Sequence, residues 1–475
     1  MDTGSVRPAV TELRLSAFKT HRGVTLPLGP LTLLSGESGS GKSSALQAYE
    51  ILARLGSGES LARAVRDVAG SASACVPAGA RPDEQGRRGF RIGCTVDGPA
   101  GPVDLDLAVQ AEPELRIVGE RLTGGGQALL TTALTDPDRP AVQAAWHTAG
   151  ATPVTRAPLP DDRLGTSLLP LRVAGKTEGQ RLVLAAAEQV VVALRSAFVC
   201  DPRPEVMRGT RTAMAAGSGG AGGTGARAKK AGTGKTAGKG AATPTAAGSW
   251  GTRARKGAGN GAEGWGRDAD VVHDEGRLRT SCDNLPAVLE RTSKECARRH
   301  AVLVAAVREA CAGPVDGLRA VPRQPDTSAE GTAAVLAAGA STGGGRSDSG
   351  AQHAVQGAAA EERRLQAVVD RGALGEMPIE QLGDGELRFV ALALVLLTGP
   401  GVLAMDPAGE IPSAQQQMTV MADGMDRCMD RRQTRELVSL AVRMAERGHV
   451  RLLGTVRDPS VADGLPGVQV LHLGA

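Results

Sequence analysis

Large aromatic side chains are nearly absent: 4 Phe, 3 Trp and 1 Tyr among 475 residues make up 2% of the chain. A core must therefore be built from Leu, Val, Ile and Ala, and only where these cluster. Cysteine is sparse too. Cys75, Cys94, Cys200, Cys282, Cys296, Cys311 and Cys428 include no Cys-x-x-Cys pair, which excludes a zinc knuckle, argues against a disulfide framework and fits cytosolic usage. Metal-type spacing is missing among the 7 histidines, and Cys296 with His300 is only a pair. Long hydrophobic runs are lacking as well: Phe389 to Leu397 is the longest, too short to span a bilayer. Met1 to Val10 carries Asp, Arg and Pro where a secretory signal needs an apolar stretch. These absences lead us to expect a cytoplasmic protein with no membrane partner.

The net charge of +4 conceals an uneven distribution. Between Arg208 and Arg267 only one acid, Glu263, stands against a cluster of Lys and Arg, and Gly and Ala dominate the rest. Such a segment cannot bury enough apolar area to offset its ordering entropy, so 208–267 is expected to be a disordered basic linker. The remainder is slightly acidic, which argues against a surface built wholly for nucleic acid.

Ahead of that linker the chain reads first as strands: Leu13 and Leu15, then Val24, Leu26 and Leu28, then the continuous Leu31-Thr32-Leu33-Leu34. Ser43 to Leu55 has a helical face. Period-two alternation returns from Phe90 to Leu122, the mark of a small antiparallel sheet. Arg181 to Phe198 and Asn284 to Ala312 read as helical, and a second low-complexity linker separates the latter from the last block. The expected organisation is 1–125 and 361–475 as the two parts of one α/β domain, helical regions at 126–207 and 268–322, and linkers at 208–267 and 323–360.

Gly36-Glu37-Ser38-Gly39-Ser40-Gly41-Lys42-Ser43 satisfies G-x-x-x-x-G-K-[ST], and it lies between a buried strand and a helix start. Glycines let the backbone turn its N–H groups inward toward phosphate oxygens, and the helix N-terminus adds a favourable field. Together with Ser44 these residues are the candidate nucleotide-binding loop, with Lys42 on the β and γ phosphates and Ser43 on Mg²⁺. Gly175-Lys176-Thr177 and Gly234-Lys235-Thr236 share only the last three letters, and neither has the earlier glycine. Further on, Val402-Leu403-Ala404-Met405 reads as a buried strand ending at Asp406, where a second Mg²⁺ contact is expected.

The arrangement resembles the ABC-type ATPase heads of the RecF/SMC class and the bacterial AAA family ATPases or ATP-binding proteins related to them. Four pieces carry the resemblance: Leu13 to Lys19 as the opening strand, Gly36 to Ser43, Leu382-Gly383-Asp384-Gly385-Glu386-Leu387-Arg388 as a signature motif, and the strand ending at Asp406. The resemblance implies a P-loop NTPase with an ABC-type mixed sheet built from both chain ends, an antiparallel β lobe, a helical middle and disordered inserts. It also implies ATP and Mg²⁺ as cofactors and a homodimer, in which Gly383, Asp384 and Gly385 cap the nucleotide of the partner in trans.

Two positions depart from the family pattern. Pro407 follows Asp406 where a water-positioning Glu is expected, leaving Glu410 as the nearest acid, and Arg457 stands where the family has a switch His. Losing a water-orienting group slows chemistry by orders of magnitude, whereas the phosphate cradle and metal contacts govern binding. The expected function is ATP binding with slow Mg²⁺-dependent hydrolysis, with Lys42, Asp406, Glu410 and Arg457 as catalytic candidates. The alternatives are a non-hydrolysing, nucleotide-gated interaction module, or a DNA-associated repair or defence ATPase. For the basic linker, a solvated spacer is preferred over an electrostatic arm for DNA, since only Trp250 and Trp265 could stack on bases.

Overall fold

The structure is a computed structural model that describes residues 7–148, 154–208, 277–322, 365–399, 402–403 and 417–474. The opening segment forms β1 (Ala9–Phe18), β2 (His21–Pro27), β3 (Leu31–Ser35), α1 (Lys42–Gly56) and α2 (Leu61–Ala69). Six strands follow: β4 (Arg88–Asp97), β5 (Val103–Glu112), β6 (Arg116–Gly124), β7 (Gln127–Ala133), β8 (Ala141–His147) and β9 (Val154–Pro160). Next come α3 (Gly165–Leu168), α4 (Glu178–Arg195), β10 (Ala197–Val199) and α5 (Pro204–Met207). The later part of the chain provides α6 (Leu285–Glu295), α7 (Ala297–Ala310), β11 (Gly317–Pro322), β12 (Leu365–Asp370), β13 (Glu376–Pro378) and α8 (Asp384–Leu397). It ends in β14 (Met418–Ala422), α9 (Arg431–Glu446), β15 (Val450–Thr455) and β16 (Val468–His472).

These strands form three sheets. An antiparallel sheet runs β2-β1-β4-β5-β6-β7-β8-β9, a second sheet runs β10-β14-β15-β3-β16, and a small third runs β11-β12-β13. Every pairing in the second sheet is parallel. The sheet built from both chain ends, expected to be mixed, is parallel throughout, and the antiparallel lobe expected from Phe90 to Leu122 belongs to a larger antiparallel sheet that also takes in β1, β2 and β7 to β9. Because β3 lies between β15 and β16, the two ends of the chain do meet in one sheet, and Met1–Gly209 and Glu275–Ala475 cluster as one unit. All five residues of β3, all five of β14 and all six of β15 are buried, as expected for strands covered on both faces.

The region 126–207 departs from its expected helical character. It first continues the antiparallel sheet through β7, β8 and β9, and becomes helical only from Gly165. In β8, Val142, Ala144 and Trp146 alternate inward. In β9, Pro158 and Pro160 are tolerated because that strand is an edge and needs no ladder donor on its outer side. Of the strand expected at Val402 to Met405, Val402 and Leu403 are described, and Leu403 forms a parallel bridge to Leu278; the rest of that run and Asp406 lie outside the described residues. Residues 209–276 and 323–364, which hold nearly all of both expected linkers, lie outside the described residues. Arg208, the first residue of the expected basic linker, is described and well anchored.

Two apolar clusters hold the unit together. One joins the antiparallel sheet to α1 and α4, and includes Phe18, Tyr49, Ile51 and Phe90; burial pushes the Tyr49 phenol up to about 12. The other surrounds α6 to α9 and the parallel strands. Polar groups pin the seams. Gln189 of α4 donates to the carbonyls of Val96 and Gly101 at 2.9 and 2.7 Å and accepts from Ala100 N at 2.8 Å, so α4 is fixed to the β4–β5 turn. Buried Glu120 accepts from Gly165 N, Thr166 N and Thr166 Oγ1, and burial raises its pKa. Arg451 on β15 donates to the carbonyls of Leu28 and Gly29 at 2.6 and 2.9 Å, tying the late strand to the turn before β3.

Candidate functional site

The C-terminal ends of parallel strands collect the loops that bind ligands in α/β sheets. Here β3 leads into loop 36–41, and α1 begins at Lys42. The helix cap, Gly41, has φ +96°, and a Cβ there would lie 2.5 Å from His21 Nε2. Only glycine closes this turn against β2. The buried His21 ring donates to the Gly41 carbonyl at 3.0 Å, which braces the helix start.

Lys42 Nζ donates to the carbonyls of Gly36 and Glu37, both at 2.7 Å, and lies 3.4 Å from Ser40 Oγ. Its ammonium is held inside the loop, over the backbone that the sequence motif assigns to phosphate. Ser43 Oγ donates to Asp423 Oδ1 at 3.0 Å, a contact between residues 380 apart in sequence. Asp423 Oδ1 also accepts from Thr455 Oγ1 at 2.7 Å, and Thr455 Oγ1 accepts from Gly424 N at 2.6 Å. Strand register explains this convergence: Ala422 pairs with Gly454, and Thr455 with Leu34, so Asp423 and Thr455 leave neighbouring strands beside the loop.

These residues line a cleft of about 600 Å³. Gly36, Ser38, Gly39, Gly41, Lys42, Ser43 and Ser44 form one wall; Asp423, Gly424, Asp426, Arg427, Thr455, Val456 and Arg457 form the other. Its charged side chains are three cations, Lys42, Arg427 and Arg457, against two carboxylates, Asp423 and Asp426. The backbone N–H of Arg457 donates to Asp426 Oδ2 at 2.7 Å, while Asp426 Oδ1 is buried without a hydrogen-bond partner among the described residues. Ser43 and Asp423 offer a hydroxyl and a carboxylate side by side, a hard-oxygen pair suited to Mg²⁺. Residues present therefore fit a magnesium-bound phosphate chain.

Of the residues singled out in the sequence, the loop from Gly36 to Ser44 and Arg457 come together in this cleft. Asp406 and Glu410 fall outside the described residues. The carboxylate that meets Ser43 is Asp423, at the end of β14, and it is followed by Gly424 rather than by an acid. Met418 to Ala422 is an apolar run ending at Asp, the same signal that singled out Val402 to Met405. The second run, β14, pairs in parallel with both β10 and β15, which brings Asp423 beside the loop.

Gly383, Asp384 and Gly385 open α8 and are not part of the cleft wall. Glu386 Oε2 accepts from Gly383 N at 3.2 Å, closing a capping interaction at the helix start. Arg208 clamps the same loop: it donates to the carbonyls of Glu380 and Leu382 at 2.9 and 2.7 Å and pairs with Asp384 at 2.6 Å. From α8, buried Arg388 reaches across to the carbonyls of Pro202 and Gly424 at 2.5 and 3.0 Å. Burial lowers the pKa of Arg388. Helix α8 and the turn after Asp423 are thus tied together.

No protein-family model matches this chain. A search of curated proteins finds no match either. Among solved structures it is remotely similar to an SMC head bound to the C-winged helix domain of ScpA, with a TM-score of 0.41 at 11% identity, covering 95% of this chain and 90% of that one. An Smc head with an extended coiled coil, bound to the C-terminal domain of ScpA derived from Pyrococcus furiosus, gives 0.40 at 10% identity, with 96% and 91% covered. The SMC head domain from Thermotoga maritima gives 0.36 at 10% identity, with 97% and 94% covered. Among the described residues, no helix is long and apolar enough to cross a membrane.

Proposed function

We propose that this chain binds ATP with Mg²⁺, hydrolyses it slowly, and joins a second copy of itself when ATP is bound. The observation that carries the reading is the Ser43 Oγ to Asp423 Oδ1 contact of 3.0 Å, which unites the phosphate-loop helix with the end of a neighbouring parallel strand. A cleft of about 600 Å³ beside it falls within the usual size range of small-molecule sites.

In this reading Lys42 leaves the carbonyls of its own loop for the β and γ phosphates, and loop N–H groups take the remaining oxygens. Ser43 and Asp423 hold the metal, the role first assigned to Asp406. A magnesium ion held by these two side chains would supply charge neutralisation for the terminal phosphates. Thr455 fixes the rotamer of Asp423 by donating to the same oxygen that meets Ser43. Gly383, Asp384 and Gly385, standing outside their own cleft, are free to serve a partner's nucleotide in trans, with Arg208 holding the loop in shape.

A specific observation favours the second reading, a nucleotide-gated module that does not turn over: the residue after Asp423 is Gly424, which has no side chain to orient water. Titration of the purified chain with ATP and with slow analogues, followed by molecular mass and phosphate release, tests both readings. The first expects a dimer with analogue and phosphate release above the Lys42→Ala background; the second expects the dimer alone.

A further inference from the structure

The position after Asp423 not only lacks an acid; a cation packs against it. Gly424 has φ +55°, and a Cβ built there would meet Nε and Nη2 of Arg427, both at 3.4 Å. The guanidinium therefore packs against the place where a side chain following Asp423 would begin.

Its setting leaves that charge available. Arg427 is exposed, lines the same cleft as Lys42 and Ser43, and has no ion pair or side-chain hydrogen bond among the described residues. Of the neighbouring carboxylates, Asp423 accepts from Ser43 and Thr455, Asp426 Oδ2 from the N–H of Arg457 and Asp430 from the N–H of Gln433, while buried Asp426 Oδ1 makes no hydrogen bond to the guanidinium or to any other described group. The backbone that presents it is braced. Arg427 N donates to Gly424 O at 2.9 Å, and that carbonyl also accepts from buried Arg388 at 3.0 Å. A fixed tight turn thus sets a guanidinium without an ion pair or side-chain hydrogen bond among the described residues into the cleft that Lys42 and Ser43 also line.

We propose that Arg427 is a γ-phosphate ligand supplied from within the same chain, and that it makes the site distinguish nucleoside triphosphate from diphosphate. The inference rests on the nucleotide-binding reading above and adds to Lys42, which spans the β and γ phosphates, a second cation devoted to the terminal phosphate. A planar guanidinium offers two N–H groups to non-bridging phosphate oxygens and keeps its charge at any physiological pH. Replacing a water-orienting acid with such a group favours holding the triphosphate over cleaving it. Cations of this kind stabilise γ-phosphate charge in other phosphoryl-transfer sites.

The experiment measures affinity of the full chain, with Mg²⁺, for the non-hydrolysable analogue AMP-PNP and for ADP, in wild type, Arg427→Ala, Arg427→Lys and Arg457→Ala. Arg427→Ala is expected to weaken AMP-PNP roughly tenfold or more, the scale of one lost charge-assisted bond, and to leave ADP within about twofold. Arg427→Lys should recover part of the difference. Equal losses for both nucleotides, or no loss for either, overturn the proposal, as does a collapse of the ratio in Arg457→Ala alone. A wild type that binds ADP and AMP-PNP equally well overturns it while leaving nucleotide binding intact. Failure to bind either nucleotide instead removes the underlying reading, and the proposal with it.

Discussion

Restoring an acid after Asp423 offers a demanding test of how the cleft is built. Gly424→Glu places a side chain at φ +55°, a conformation that costs an L-residue roughly 1–2 kcal/mol relative to glycine. Steric contact adds little, because 3.4 Å to Arg427 is ordinary van der Waals distance. Gly424→Ala isolates the backbone cost, and the same 1–2 kcal/mol should appear in urea unfolding as a lower midpoint at unchanged slope. In Gly424→Glu the new carboxylate starts beside the Arg427 guanidinium, and an ion pair there would return only about 0–1 kcal/mol, as exposed pairs do. The acid is thereby drawn away from any attacking water. Phosphate release should remain within about twofold of wild type, since no water-orienting group is gained. A Gly424→Glu protein that unfolds like wild type and releases phosphate tenfold faster would refute the reasoning.

Other perturbations read separate parts of the structure. Asp423→Asn keeps a hydrogen-bond acceptor for Ser43 and Thr455 but removes the metal-binding charge, so ATP affinity measured with Mg²⁺ should fall to that measured with chelator, while wild type shows a clear gap. Glu120→Gln faces the N–H groups of Gly165 and Thr166 with only one acceptor oxygen, and urea unfolding should report a loss of about 1–3 kcal/mol. The same carboxyl sets a pH dependence. Its folded pKa lies above the ordinary value of 4.5, so the folded state holds the proton longer, and wild-type stability should decline as pH rises from 4.5 through the raised value. The decline should be absent in Glu120→Gln. Arg208→Ala frees the loop carrying Gly383 to Gly385; ATP-induced dimerisation should weaken, judged by mass, while nucleotide affinity of the monomer stays within about twofold.

What could be read in advance was what local spacing determines. The motif of Gly36 to Ser43 is a contiguous run, because neighbouring N–H groups would have to wrap one ligand, and the helix expected after it does begin, as α1, at Lys42. Likewise Glu386 to Thr398 is apolar enough to read as a buried helix, and α8 covers Asp384–Leu397. Pairing between distant strands has no such local imprint. Two apolar runs end in aspartate, at Asp406 and at Asp423, and nothing within either run says that Asp423 is the one that meets Ser43. Strand β9 was hidden by Pro158 and Pro160, residues that oppose a central strand but suit an edge. Arg427 carried no signal at all, since its significance comes from a left-handed Gly424 three residues earlier.

Isothermal titration of the purified chain with ATP, with and without Mg²⁺, alongside Lys42→Ala, tests the central claim most directly. The account expects saturable one-site binding that Mg²⁺ strengthens and Lys42→Ala weakens at least tenfold, the scale of a lost contact to charged phosphate. No heat and no saturation in the wild type under either condition would contradict it.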